Sequence, residues 1–140
     1  MKEVLVFGTF DIFHIGHLKF LQQAKKLGDK LKVIIARDIN VKRLKNKEPI
    51  HNENQRQEIL NNLEIVDKAT LGNKDDVYQV INKIDPDIIA LGYDQTHFVD
   101  KLEEKLDEFG LDIKITRLNP HREEKYKSSK IKQKLQNKDG

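Results

Sequence analysis

The run Gly8-Thr9-Phe10-Asp11-Ile12-Phe13-His14-Ile15-Gly16-His17 sets two imidazoles three residues apart with a glycine between them. Residues at that spacing share one face of a helix, so both rings are able to donate hydrogen bonds to neighbouring oxyanions. A helix beginning here also offers unpaired backbone amides and the positive end of its dipole, which favours phosphate. Gly16 has no side chain to keep phosphates away from the backbone. Histidines three apart also ligate zinc, but no third ligand is evident nearby, so no metal ligand is assigned. A single histidine at a helix start is commonly a capping or surface residue. The whole ten-residue run, rather than either ring, carries the phosphate reading. Asp11 within it is expected to orient the loop or an imidazole rather than touch a substrate.

The surrounding elements place this run. Val4 to Phe7 is a short apolar stretch closed by Gly8, the pattern of a strand buried on both faces. From Gly16 to Leu27 the positions Leu18, Leu21, Ala24 and Leu27 recur at three-residue spacing, and Gly28 follows where a C-cap glycine belongs. Leu31 to Ala36 is a second strand. Asn52 is a candidate cap for a helix from Glu53 to Leu63 with Ile59, Leu60 and Leu63 inward. Ala69 to Leu71, Val77 to Ile84 and Ile88 to Leu91 then read as strand, helix and strand. A charged helix from Phe98 to Phe109 ends at Gly110, the strand Ile113 to Leu118 follows, and Ser128 or Ser129 caps a last helix reaching Leu135. Strands alternating with helices predict an α/β fold: a single domain with a five-stranded parallel sheet and helices on both faces. In such sheets the ligand lies beyond the carboxyl ends of the strands, where strand order reverses. The histidine run leaves the first strand at that edge.

Composition narrows the remaining classes. The chain has 140 residues, enough for one domain, expected over 1–135 with a frayed tail at 136–140. With 26 basic and 23 acidic side chains, charge nearly cancels. This gives no strong case for nucleic acid or membrane binding; only the stretch 121–140 leans basic, and steep salt-dependent oligonucleotide binding would be needed to support an RNA or DNA role. The absence of cysteine excludes disulfides, thiolate metal sites and cysteine nucleophiles. No leader or membrane-spanning segment is legible, so a cytoplasmic location is expected.

With its Gly8-Thr9-Phe10-Asp11 and His14-Ile15-Gly16-His17 runs, the chain resembles the HxGH nucleotidyltransferase superfamily, in its cytidylyltransferase-like branch. Further runs extend over nearly the whole chain. Val33 to Asp38, Lys47-Glu48-Pro49, Gln55-Arg56, Val66-Asp67 and Asp85 to Gln95 are similar to archaeal-type FAD synthases, the Leu91-Gly92-Tyr93-Asp94-Gln95 pattern being the most discriminating. The resemblance implies a Rossmann-like fold, ATP and FMN as substrates, a divalent metal, Mg²⁺, bound with the nucleotide, and a homodimer. It implies that Thr9, Phe10, Ile15 and Gly16 line the nucleotide site, that His14 and His17 hold phosphates, and that Asp94 contacts the ribose or base region. Arg122 with Ser128 and Ser129 would take the place of the family's C-terminal phosphate motif. There Lys125, Tyr126 and Lys127 depart from the cytidylyltransferase pattern, which weakens CTP as the donor. Transfer of CMP from CTP to glycerol 3-phosphate or a related phosphorylated alcohol stands as the alternative, and a non-catalytic nucleotide-binding module as an alternative of another class.

Lys42, Arg43, Lys45 and Lys47 fall in a polar segment after the second strand. They form either a solvated face or a loop that brings a lysine to the α-phosphate, and by resemblance Lys45 or Lys47 is the catalytic candidate. Arg56 either binds phosphate or pairs with Glu53 or another carboxylate. Asp38 either faces the ligand or caps a helix. His121 either lines the base pocket or faces solvent in a loop. His51 and His97 carry no role.

Overall fold

The computed structural model describes residues 1–93, 95 and 99–119, with Asp100 described by its backbone only. In chain order the elements are β1 (Glu3–Gly8), α1 (Ile15–Lys25), β2 (Lys30–Ile35), α2 (Asp38–Lys45), α3 (Glu53–Asn61), β3 (Lys68–Leu71), α4 (Gln79–Ile84), β4 (Ile88–Leu91), α5 (Val99–Phe109) and β5 (Lys114–Arg117). The strands form one parallel five-stranded sheet in the order β3-β2-β1-β4-β5. Alternate residues of β1 enter two apolar layers. Val4 and Val6 pack with Leu21 and Ala24 of α1 and Leu60 of α3. Leu5 and Phe7 pack with Val80 and Ile81 of α4 and Leu102 and Leu106 of α5. A sheet buried on both faces needs continuous apolar strands, which is why these runs do not alternate with polar residues. The expected α/β architecture with helices on both faces is thus the one observed.

Strand order reverses between β1 and β4, so the crevice beyond their carboxyl ends is the switch point of the sheet. Pairing is lopsided there. β1 runs in register with β2 from Glu3–Lys30 to Gly8–Ile35, but with β4 only at Val4–Ile88 and Leu5–Ile89. Among the described residues no helix is long and apolar enough to cross a membrane.

Several local expectations need correction. Residues after β2 form α2 rather than a loop; of its apolar side chains only Val41 is buried, while Ile39 and Leu44 face solvent, so no apolar periodicity announced it. In α3, Leu60 is inward as expected but Ile59 is exposed, and Arg56 holds the interior position one turn before Leu60. The fourth helix begins at Gln79 rather than Val77. Gly28 is no left-handed cap: a Cβ there would sit 2.8 Å from Val4 Cγ2 and 2.9 Å from the Lys2 carbonyl, so the glycine permits a close backbone approach. Gly110 does end α5 in the left-handed region at φ 69°. The last helix starting at Ser128 or Ser129, the domain limit at 135 and the tail 136–140 lie outside the described residues.

Candidate active site at the start of the first helix

Between β1 and α1 the chain turns sharply. Phe10 and Ile12 take positive φ values of 55° and 52°, a conformation costly for large and β-branched side chains. Each such residue stores on the order of 1–3 kcal/mol and persists only where its surroundings over-determine it. Three contacts do so here. The Phe10 ring folds back over Gly8, where a Cβ would lie 2.6 Å from the ring. The Asp11 carboxylate, between the two strained residues, accepts from the backbone amides of Ile50 (2.8 Å) and His51 (2.9 Å). Arg56 donates to the Thr9 carbonyl at 2.9 Å. Burial alone would raise the Asp11 pKa, but the two amides, His51 and Arg56 outweigh it and hold the carboxyl below its ordinary value. Asp11 therefore orients the loop, as its position suggested.

His14 is the N-cap of α1, and its Nδ1 accepts from the Gly16 amide at 3.0 Å. His17 Nδ1 in turn accepts from the His14 amide at 3.2 Å. The pair forms a reciprocal capping box built from imidazoles in place of the usual serine and glutamate. An imidazole whose Nδ1 accepts an N–H must carry its proton on Nε2, so both rings are neutral and both Nε2–H groups are left as donors. The rings stack with centroids 4.0 Å apart, and Phe10 and Phe13 flank His17 at 5.5 and 5.4 Å. Partial burial lowers the His14 pKa. Burial, then repulsion from His14, lowers that of His17 to about 4, with Asp11 opposing and Lys45 adding to the fall.

Arg56 is fully buried and ties the site to the sheet. Besides Thr9 it donates to the carbonyls of Ala36 (2.8 Å) and His51 (3.1 Å) and to the Asp38 carboxylate (2.6 Å). Asp38 also accepts from the Glu53 amide, while Glu53 accepts from the Asp38 amide and pairs with Arg37 at 2.9 Å. Thus α2 and α3 start against each other, the first amide of each donating to the other's carboxylate, while Asn52 caps α3 through the Gln55 amide as expected. Arg56 and Asp38 are occupied structurally rather than offered to a ligand. Sequence reasoning left Arg56 open; its spacing to the inward Leu60 was the signal that the guanidinium lies inside.

Beyond β4, the Gln95 amide donates to the Gly92 carbonyl at 3.1 Å. The Gln95 side chain accepts from the Gly92 amide and donates to the Phe7 carbonyl, both at 3.2 Å. Arg117 Nη1 reaches the carbonyls of Gly92 (2.7 Å), Gln95 (3.0 Å) and Tyr93 (3.3 Å). Neither Gln95 nor Arg117 had an assigned role, and no local pattern marks Arg117.

Of the residues singled out in the sequence, Thr9, Phe10, His14, Ile15, Gly16 and His17 come together at this edge. Lys45, in the last turn of α2, is near enough for its charge to act on His17. Lys47 lies beyond that helix and is exposed. Asp94, His121, Arg122, Ser128 and Ser129 lie outside the described residues. Among the described residues, no group of three or more histidine or carboxylate side chains converges as a metal site.

The family model described as cytidylyltransferase-like matches residues 5–134. The chain is 47% identical over 129 residues to the FAD synthase of Archaeoglobus profundus, covering 92% of this chain and 82% of that protein. It is 40% identical over 135 residues to the FAD synthase of Thermoplasma acidophilum, covering 96% and 94%. Among solved structures, the lipopolysaccharide core biosynthesis protein of Thermoplasma volcanium superposes with a TM-score of 0.80 at 40% identity, covering 86% of this chain and 98% of that one.

Proposed function

Since the chain belongs to the cytidylyltransferase-like family, we propose that it is an FAD synthase, a nucleotidyltransferase that passes AMP from ATP to FMN. A phosphate oxygen of FMN attacks the α-phosphorus of ATP, the bond from that phosphorus to the bridging oxygen breaks, and pyrophosphate leaves. The substrate identity is supported by FAD synthases 38–49% identical over most of the chain.

The observation that carries the mechanism is the paired capping of His14 and His17. Because each Nδ1 already accepts a backbone amide, neither ring has a free lone pair for base catalysis. The acceptor phosphate is already anionic and needs none. What the rings supply is two Nε2–H donors, fixed before the reaction, at a helix start beside the switch point. There they stabilise negative charge as it grows toward the leaving pyrophosphate. Gly16 leaves the helix amides open to the same phosphates. Lys45, rather than Lys47, is the lysine for the triphosphate, because its charge already reaches His17. The nucleotide roles of Asp94, His121, Arg122, Ser128 and Ser129 belong to the same proposal.

A divalent cation, Mg²⁺ by its preference for phosphate oxygen, supplies charge neutralisation when bound. The described residues do not form a cage for it, and both oxygens of Asp11 are engaged by amides. In this reading the ion arrives with the nucleotide, and no step depends on a protein ligand to it. The reading includes a homodimer in the cytosol, for which light scattering on the purified chain is the check.

Pyrophosphate release measured across ATP and CTP against FMN and glycerol 3-phosphate tests the reading. Turnover is expected with ATP and FMN. Turnover confined to CTP and glycerol 3-phosphate overturns the substrate assignment, and ATP binding with no turnover on either acceptor overturns the enzyme assignment.

A further inference from the structure

The crevice between β1 and β4 is spanned by the Gln95 side chain. Strand pairing between them comprises Val4–Ile88 and Leu5–Ile89, whereas β4 stays in register with β5 through Leu91–Arg117. Past Leu5 the Gln95 carboxamide links β1 to the residue that follows β4, donating to Phe7 O and accepting from Gly92 N. A carboxamide carries both a donor and an acceptor, so it replaces a backbone ladder unit while filling space between the strands. Its own backbone is fixed from the far side, where Arg117 gathers the carbonyls of Gly92, Tyr93 and Gln95.

Resting on the reading of this crevice as the nucleotide site, we propose that Gln95 is a positioning residue for the nucleotide. It sets the separation between the histidine loop that leaves β1 and the turn that leaves β4, with Arg117 as its anchor. A nucleotide lying across the switch point touches both loops, so its affinity depends on their spacing. Chemistry at the phosphates depends mainly on the α1 end.

The test uses Gln95→Glu, which keeps an acceptor for Gly92 N but faces Phe7 O without a donor, and Gln95→Ala, which removes both bonds. ATP affinity is measured by titration calorimetry without FMN, alongside KM for each substrate, kcat and Tm. Loss of hydrogen bonding across the crevice predicts that Kd and KM for ATP rise about tenfold, with kcat and KM for FMN changed by less than about threefold. Arg117→Met should move the ATP constants in the same direction and Arg117→Lys should restore them. ATP constants within about twofold of the parent chain in both Gln95 variants overturn the proposal. So does a rise in both Michaelis constants together with a fallen Tm, which assigns Gln95 to stability alone. If the parent chain binds ATP but never turns over FMN, the functional reading fails while the ATP titrations still decide the role of Gln95.

Discussion

Replacing His14 by Asn or by Gln separates two jobs that one imidazole performs. In Asn the side-chain oxygen stands where Nδ1 stands in histidine; in Gln the side-chain nitrogen stands where Nε2 stands. Nδ1 of His14 caps α1 through the Gly16 amide, so Asn, among the best N-cap residues, preserves the helix start. It removes the donor. Loss of one preorganised donor to transition-state charge costs about 2.7–4 kcal/mol, a fall in kcat of about 10²–10³. His14→Gln keeps a donor near the Nε2 position and loses the cap, which costs about 1 kcal/mol of stability. For a domain of this size that lowers Tm by about 2–4 °C. Pyrophosphate release and thermal unfolding by circular dichroism read the two quantities independently. The expected pattern is crossed: His14→Asn stable and at least about a hundredfold slower, His14→Gln less stable and about tenfold faster than the Asn variant. If His14→Asn turns over within about threefold of the parent chain, the donor role is refuted. If it unfolds as early as His14→Ala, the capping geometry is wrong.

Arg56→Met removes a buried guanidinium that holds three carbonyls and Asp38; breaking such a pair costs about 3–5 kcal/mol, and chemical denaturation should show it, with a loss under about 1 kcal/mol contradicting the keystone role. His17 is neutral in the fold, with a pKa lowered by burial to about 4 against 6.5 for an ordinary histidine. Below pH 6.5 the unfolded chain binds the extra proton, so the stability its cap contributes is complete above 6.5 and is lost as pH falls toward 4. Proton NMR of the His17 ring should therefore show no titration near 6.5, and a midpoint there would contradict the capped, neutral ring. Lys45→Ala should lower kcat/KM for ATP by about tenfold or more while Lys47→Ala stays within about threefold; the reverse ranking would place Lys47 at the phosphates.

The fold was largely legible because its strands are buried on both faces. Val4 to Phe7, Val33 to Ala36 and Ile88 to Leu91 are continuous apolar runs, and helical segments lie between them. The helix α2 was not legible, since it buries Val41 and leaves Ile39 and Leu44 in solvent. Its start is held by Arg56 and Glu53, partners that a local reading of residues 38–45 never meets.

The sequence by itself supplied the reading of the pair: two imidazoles around Gly16, at the exit of a buried strand and at the spacing of neighbouring positions at a helix start, are read as phosphate donors. Tertiary structure decided what each residue does there. That the rings are neutral donors follows from backbone amides placed by the fold on each Nδ1. Arg56 became a strut rather than a ligand because its guanidinium lies inside, against carbonyls of Thr9 and Ala36 that are distant in sequence. Gln95 bridges β1 and β4 for the same physical reason. Strand ends far apart along the chain meet only once the sheet has formed, and the partner a polar group finds there sets its role.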